Sequence, residues 1–149
     1  MTDIRPVPLT EAVTALRAAG DACRGFLGVD PVTQNDALLV KELTRTGAQF
    51  FRSDGALVGC LTNEDQLRQV YVATTTADPE PLRAFLAFLD TYRRITSYVA
   101  LLPSGNPTLP AFEKCGFTQV GNLKDHHFQA GRHQDVPVYF ASAEVACRP

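Results

Sequence analysis

Proton transfer near neutral pH needs a histidine, or a carboxylate or phenol held by its surroundings, and this chain offers few of them in useful company. His126 and His127 are adjacent, so on a strand they point to opposite faces and only one can reach a shared cleft. The carboxylates Glu64 and Asp65 follow Asn63 in a turn-forming run, and Thr74-Thr75-Thr76 gathers hydroxyls whose side chains and amides can hold an anion. Cys23, Cys60, Cys115 and Cys147 are scattered with no C-x-x-C pair, which assembles no metal site and no disulfide framework. Cys23 and Cys60 read as small buried hydrophobes. A thiolate at Cys115 could carry an acyl group, but a position at the end of a helix raises a thiol's pKa and favours a structural role.

These groups must be positioned by elements whose pattern is legible. Ile4 to Pro8 alternates with prolines like an edge strand. Thr10 suits the N-cap of a helix running to Ala19, with Leu9, Val13, Leu16 and Ala19 on one face and Gly20 at its stop. A loop, Gly25 to Pro31, carries apolar anchors of the kind that border a substrate cleft. A second helix starts at Asn35-Asp36, buries Ala37, Leu38, Val40 and Leu43, and halts at Gly47.

The period then changes. Ala48 to Phe51 and Ala56 to Leu61 flank the hairpin signal Ser53-Asp54-Gly55, and Gln66 to Ala73 follows as a third strand after the Asn63 to Asp65 turn. Asp78-Pro79-Glu80-Pro81 opens a helix that reaches Arg94, lined by Leu82, Phe85, Leu86 and Leu89. Ile95 to Leu102 is apolar enough for a strand buried on both faces, and strand, helix and buried strand together predict a parallel crossover. Asn106-Pro107 opens a short helix with Gly116 at its left-handed stop; Phe117 to Phe128, the turn Ala130 to Arg132, and Val136 to Ala141 form a terminal hairpin.

The chain of 149 residues, 45% apolar and 20% charged, predicts one domain over residues 1–149 with a real core. A net charge of −2 and pI near 5.9 exclude the basic footprint of a nucleic-acid binder. No apolar run approaches the ~20 residues that span a bilayer, and MTDIRPVPLT lacks the order of a signal peptide, so a cytoplasmic location and no membrane partner are expected.

The segment Asn106, Ala111, Phe112-Glu113-Lys114-Cys115-Gly116-Phe117 and Gly121, followed by His126, Gly131 and Asp135, resembles the terminal motif of the GCN5-related N-acetyltransferases. The element order β-α-α-β-β-β-α-β-α-β-β is similar to theirs. The resemblance implies an α/β fold with a mixed, mostly antiparallel sheet, a small-amine substrate, and acetyl-CoA or another acyl-CoA between the third long strand and the one after the long helix. It places Val72, Ala73, Thr74, Thr75, Thr76, Asn106 and Phe112 against that cofactor, with a backbone N–H of the third long strand holding the oxyanion.

Two positions depart from the family. Its pyrophosphate loop carries glycines at the helix start, where this chain has Thr74 to Pro81 with Asp78, Glu80 and two prolines, a degenerate version. The motif's tyrosine, which protonates the leaving thiolate, is Phe112. Tyr71, with Tyr98 on the neighbouring strand, is then the candidate acid, and Glu64 or His126 the candidate base. Three readings follow: an acyl-CoA-dependent N-acyltransferase; the same fold without CoA catalysis, serving as a binding or assembly protein; and the fold reused for another small-molecule reaction. A homodimer is the assembly to look for.

Overall fold

The computed structural model describes residues 3–29, 34–129 and 131–146. Its strands are β1 (Ile4–Val7), β2 (Gln49–Ser53), β3 (Ala56–Thr62), β4 (Gln69–Thr74), β5 (Ser97–Leu101), β6 (Thr118–Gln129) and β7 (Arg132–Ser142). The helices are α1 (Leu9–Ala19), α2 (Asp36–Thr46), α3 (Pro79–Arg93), α4 (Leu109–Lys114) and α5 (Ala143–Ala146), with a 3-10 turn at Gly20–Cys23. One sheet holds all seven strands in the order β1-β2-β3-β4-β5-β7-β6. β4 and β5 are parallel and every other pair is antiparallel, so the expected crossover through α3 and the expected β2-β3-β4 meander are both present.

Local chemistry explains these elements and also the places where their ends differ from expectation. Asp54 and Gly55 both take positive φ, 50° and 82°, the geometry of a two-residue hairpin turn, and Ser53 faces Ala56 across it. Pro8, not Thr10, occupies the N-cap position of α1, and its carbonyl accepts from Ala12 N–H at 2.9 Å. In α2, Asn35 Oδ1 accepts from Leu38 N–H at 2.9 Å and sets the helix phase. That phase buries Leu39 and Leu43, one turn apart, and leaves Ala37 and Leu38 exposed with Val40 half-buried.

β4 starts at Gln69 instead of Gln66, because Gln66 N–H bonds Asn63 O, Arg68 N–H bonds Gln66 Oε1 and Gln69 N–H bonds Gln66 O, a tight turn that consumes the intervening residues. α4 starts at Leu109, past Asn106-Pro107, because Asn106 Oδ1 bends the chain by accepting from both Thr108 N–H (2.9 Å) and Thr108 Oγ1–H (2.7 Å). β7 reaches back to Arg132, since the hairpin pairs down to Gln129 and Arg132. β5 alternates: Tyr98 and Ala100 are buried, while Ser97, Val99 and Leu101 are half-buried.

The sheet separates two apolar clusters. On one face Leu82, Phe85, Leu86 and Leu89 of α3 pack with Val70, Val72, Tyr98, Phe112 and Phe117. On the other, Val13 and Leu16 of α1 and Leu39 and Leu43 of α2 pack with Phe26, Phe50, Leu57 and Ala73. Among the described residues no helix is long and apolar enough to cross a membrane.

Candidate active site in the cleft between two parallel strands

The parallel pairing of β4 and β5 covers only Gln69↔Ser97, Val70↔Tyr98 and Tyr71↔Val99. Its near end is clasped: Gln69 Nε2 donates to Ser97 Oγ at 3.1 Å, Asn63 Nδ2 donates to Gln69 Oε1 at 2.8 Å, and Thr96 N–H donates to Arg68 O at 2.8 Å. Beyond Tyr71 the strands part, and the alternation of a strand's backbone fixes which groups face the gap. Gln69 and Thr75 both bond to β3 or its flanks, through Asn63 N–H to Gln69 O and Thr75 N–H to Leu57 O, and the register between is unbroken. Tyr71 and Ala73 therefore also direct their amides to β3. Val72 and Thr74 direct theirs to the β5 side, where after Val99 no strand is paired, so the Thr74 N–H opens onto the gap.

The gap is a cavity of about 190 Å³. Strands supply Leu61, Tyr71, Val72, Ala73, Thr74 and Leu101; its cover is the segment from Ala22 through Gly28, and its far wall is Leu102, Asn106 and Thr108. The cover lies close because two positions lack a side chain. At Gly25, with φ 78°, a Cβ would come within 2.6 Å of Pro103 Cγ, and at Gly59 on β3 one would come within 3.0 Å of both Leu27 and Phe26. Phe26 then stacks on Phe50, ring centroids 5.7 Å apart. Asn106 spans the mouth: its Nδ2 donates to Arg24 O at 3.4 Å while its Oδ1 holds Thr108.

The cavity brings together Tyr71, Val72, Ala73, Thr74 and Asn106. Thr74 is 2% exposed, and its Oγ1 has no hydrogen-bond partner. Thr75 and Thr76 do not line the cavity: Thr75 gives both N–H and Oγ1–H to Leu57 O, and Thr76 Oγ1 accepts from Asp78 N–H. Phe112 is fully buried in the core, edge-on to Phe117 at 5.2 Å, and does not touch the cavity. Tyr98 is likewise buried, its hydroxyl donating to Leu86 O at 2.7 Å. Glu64 and His126 do not line the cavity: Glu64 is exposed in the turn before the paired Gln69 end of β4, away from the gap, and His126 is exposed on β6, with β5 and β7 between it and β4.

The sequence reading missed the apolar lining residues Ala22, Leu61, Leu101 and Leu102 and one polar one, Thr108. It is 2% exposed, and the Asn-x-Thr spacing of its turn is the signal that could have marked it. Among the described residues Tyr71 is the only titratable side chain on the cavity wall, and no cluster of His, Cys, Asp or Glu could hold a metal. Burial pushes the Cys23 thiol up to about 12 and the Cys60 thiol up to about 11, which keeps both protonated and inert; Cys115 is also buried.

A mixed seven-stranded sheet whose two central parallel strands part over a cavity, with α3 crossing between them, is the fold of the GCN5-related N-acetyltransferases. Solved structures with this fold align over nearly the whole chain. Spermidine N-acetyltransferase from Vibrio cholerae in complex with CoA and spermine is similar at a TM-score of 0.72 and 16% identity, covering 99% of this chain and 98% of the other. A chimera of that enzyme with hSSAT gives 0.72 and 14% over 99% of each chain, and the dodecameric Vibrio cholerae enzyme in an intermediate state gives 0.68 and 15% over 96% and 94%. No protein-family profile and no curated protein matches the sequence.

Proposed function

We propose that this protein is an acyltransferase that moves an acyl group from a thioester, with acyl-CoA as the reference donor, to a small amine. The observation that carries this reading is the parting of β4 and β5, which leaves the Thr74 N–H without a paired strand beside a mostly apolar cavity. An amide aimed at the site of developing charge stabilises a carbonyl oxygen as it becomes an oxyanion, and low polarity strengthens that bond. The amine nitrogen forms its bond to the carbonyl carbon while the carbon–sulfur bond breaks. The thiolate takes a proton, for which the Tyr71 hydroxyl is the available donor on the wall, and the proton lost by the amine returns through solvent. The CoA and spermine held by the Vibrio cholerae neighbour support a thioester donor and an amine acceptor. Among the described residues no carboxylate lines the cavity, which favours a small amine with few further charges as acceptor.

A second reading is favoured by one observation: Phe112 lies in the core and, among the described residues, Tyr71 is the only titratable group on the wall, a lining suited to holding a ligand without transferring anything. One pair of measurements separates the two. Acetyl-CoA at 100 times its dissociation constant should stabilise the protein by about 2.7 kcal/mol in either case, but thiol release on adding a panel of small amines occurs only in the first. Absence of binding by any acyl thioester, acetyl-CoA or a shorter one, sinks both. The dodecameric neighbour makes self-association worth measuring at the same time, by light scattering.

A further inference from the structure

The cavity and the helix start beside it make opposite demands on a ligand. Among the described residues the cavity wall carries no charged side chain; its polar groups are the hydroxyls of Tyr71, Thr74 and Thr108 and the amide of Asn106. Of these, the Thr74 hydroxyl is buried without a hydrogen-bond partner, a polar atom left unsatisfied in the unliganded protein. This side of the cleft accepts a neutral chain with a carbonyl or amide.

The first turn of α3, where β4 delivers the chain, offers an anion no free amide of Asp78 or Glu80. Pro79 and Pro81 have no N–H, and the Glu80 N–H is bonded to Asp78 Oδ1 at 3.0 Å. Asp78 N–H is bonded to Thr76 Oγ1 at 3.2 Å, and both donors of Thr75 go to Leu57 O. The carboxylates of Asp78 and Glu80 already complement the helix dipole. Arg83, the cation of the next position on that face, pairs with the Glu80 carboxylate and donates to Lys114 O at 3.2 Å. The turn is also pinned: Ser53 Oγ donates to Pro81 O at 2.8 Å in the buried interior, and the Cys115 thiol donates to Pro79 O at 3.6 Å. A diphosphate brought there would meet two carboxylates and find the first-turn amides missing or engaged.

We propose that the acyl donor is an uncharged acyl thioester of a short, pantetheine-type thiol, recognised through its carbonyl and its neutral arm in the cleft, with no affinity contributed by a diphosphate or nucleotide. This rests on the acyl-transfer reading and narrows its donor. Acetyl-CoA fits the cavity at its thioester end and misfits the α3 terminus at its charged end.

The test is calorimetric titration of the full chain with S-acetylpantetheine and, separately, acetyl-CoA, at low and at moderate salt. The expected result is dissociation constants that agree within about fivefold at both salt concentrations, with no competition from adenosine 3′,5′-bisphosphate. A larger advantage for acetyl-CoA, or competition by the nucleotide, overturns the proposal and leaves acyl transfer standing. If neither thioester binds, the proposal falls together with the reading on which it rests.

Discussion

Replacing Thr74 by Val removes one oxygen and keeps the shape, the β-branching and the backbone N–H. In the free protein that oxygen is a buried hydroxyl without a partner, which costs about 1–3 kcal/mol relative to a satisfied or absent one. The methyl that replaces it adds up to about 0.8 kcal/mol of apolar burial. Allowing for imperfect packing, Thr74→Val should stabilise the unliganded protein by about 1–2 kcal/mol, a rise in thermal midpoint of roughly 2–8 °C for a chain of this size. Ligand binding should move the other way. If Thr74 Oγ1 bonds the thioester, the variant should bind S-acetylpantetheine roughly three- to tenfold more weakly, the equivalent of one neutral hydrogen bond. Urea melts with and without ligand read both effects on the same samples. A variant that is less stable than the parent, or one that binds thioester equally well, refutes the assignment of Thr74 as a vacant ligand contact.

Three further outcomes follow from the geometry. Phe112→Tyr restores the tyrosine of the terminal motif, yet it would place a hydroxyl in a closed core; urea unfolding should show a loss of about 1–3 kcal/mol with no gain in thiol release. Asn106→Asp keeps the oxygen that holds Thr108 but loses the donor to Arg24 O, so the cover over the cleft should loosen; faster amide exchange at Gly25 and Phe26, with a global cost near ~1 kcal/mol, would be seen by hydrogen-exchange NMR. Asp135 accepts from Asn122 Nδ2 and from Asp125 N–H in the terminal hairpin, and these bonds hold its carboxyl below the usual 3.8. A lowered folded-state pKa contributes stability that is present above the ordinary value and lost as pH falls through the lowered one. Exchange protection of Asp125 N–H should therefore persist at pH 5 and disappear on acidification below the ordinary carboxylate range, while a variant Asp135→Asn should show no such pH dependence.

The fold was legible wherever the sequence carries a local rule that packing does not override. Asp54-Gly55 could make only a hairpin, and Asn35 and Gly47 bracket α2 as cap and stop. Helix faces were less so: α2 buries Leu39 and not Leu38, and Leu39 and Leu43 join the cluster that holds Phe26 and Phe50. Side-chain hydrogen bonds moved two boundaries, at Gln66 and at Asn106, because such turns depend on rotamers that the sequence does not specify. The cavity was half legible. Strand alternation and the crossover mark β4, hence Tyr71 to Thr74. The cover depends on close approaches at Gly25 and Gly59, which only coordinates reveal, and Phe112 was drawn into the core by Phe117 and α3.

The insertion of β7 between β5 and β6 has a consequence for the order in which the protein can be made. Strands β1 to β4 pair with sequence neighbours or across the two helices between them, so the first half of the sheet can assemble while the ribosome is still completing the chain. β5 then has a partner on one side only, and over three residues. Its other edge, with Tyr98 and Ala100, waits for Val138 to Ala141, and the long loop that this closes makes the step slow relative to the hairpins. Because the far wall of the cleft hangs on that same edge, through Leu102 N–H to Pro137 O and Ser104 N–H to Asp135 O, the binding cavity cannot be complete until β7 has paired.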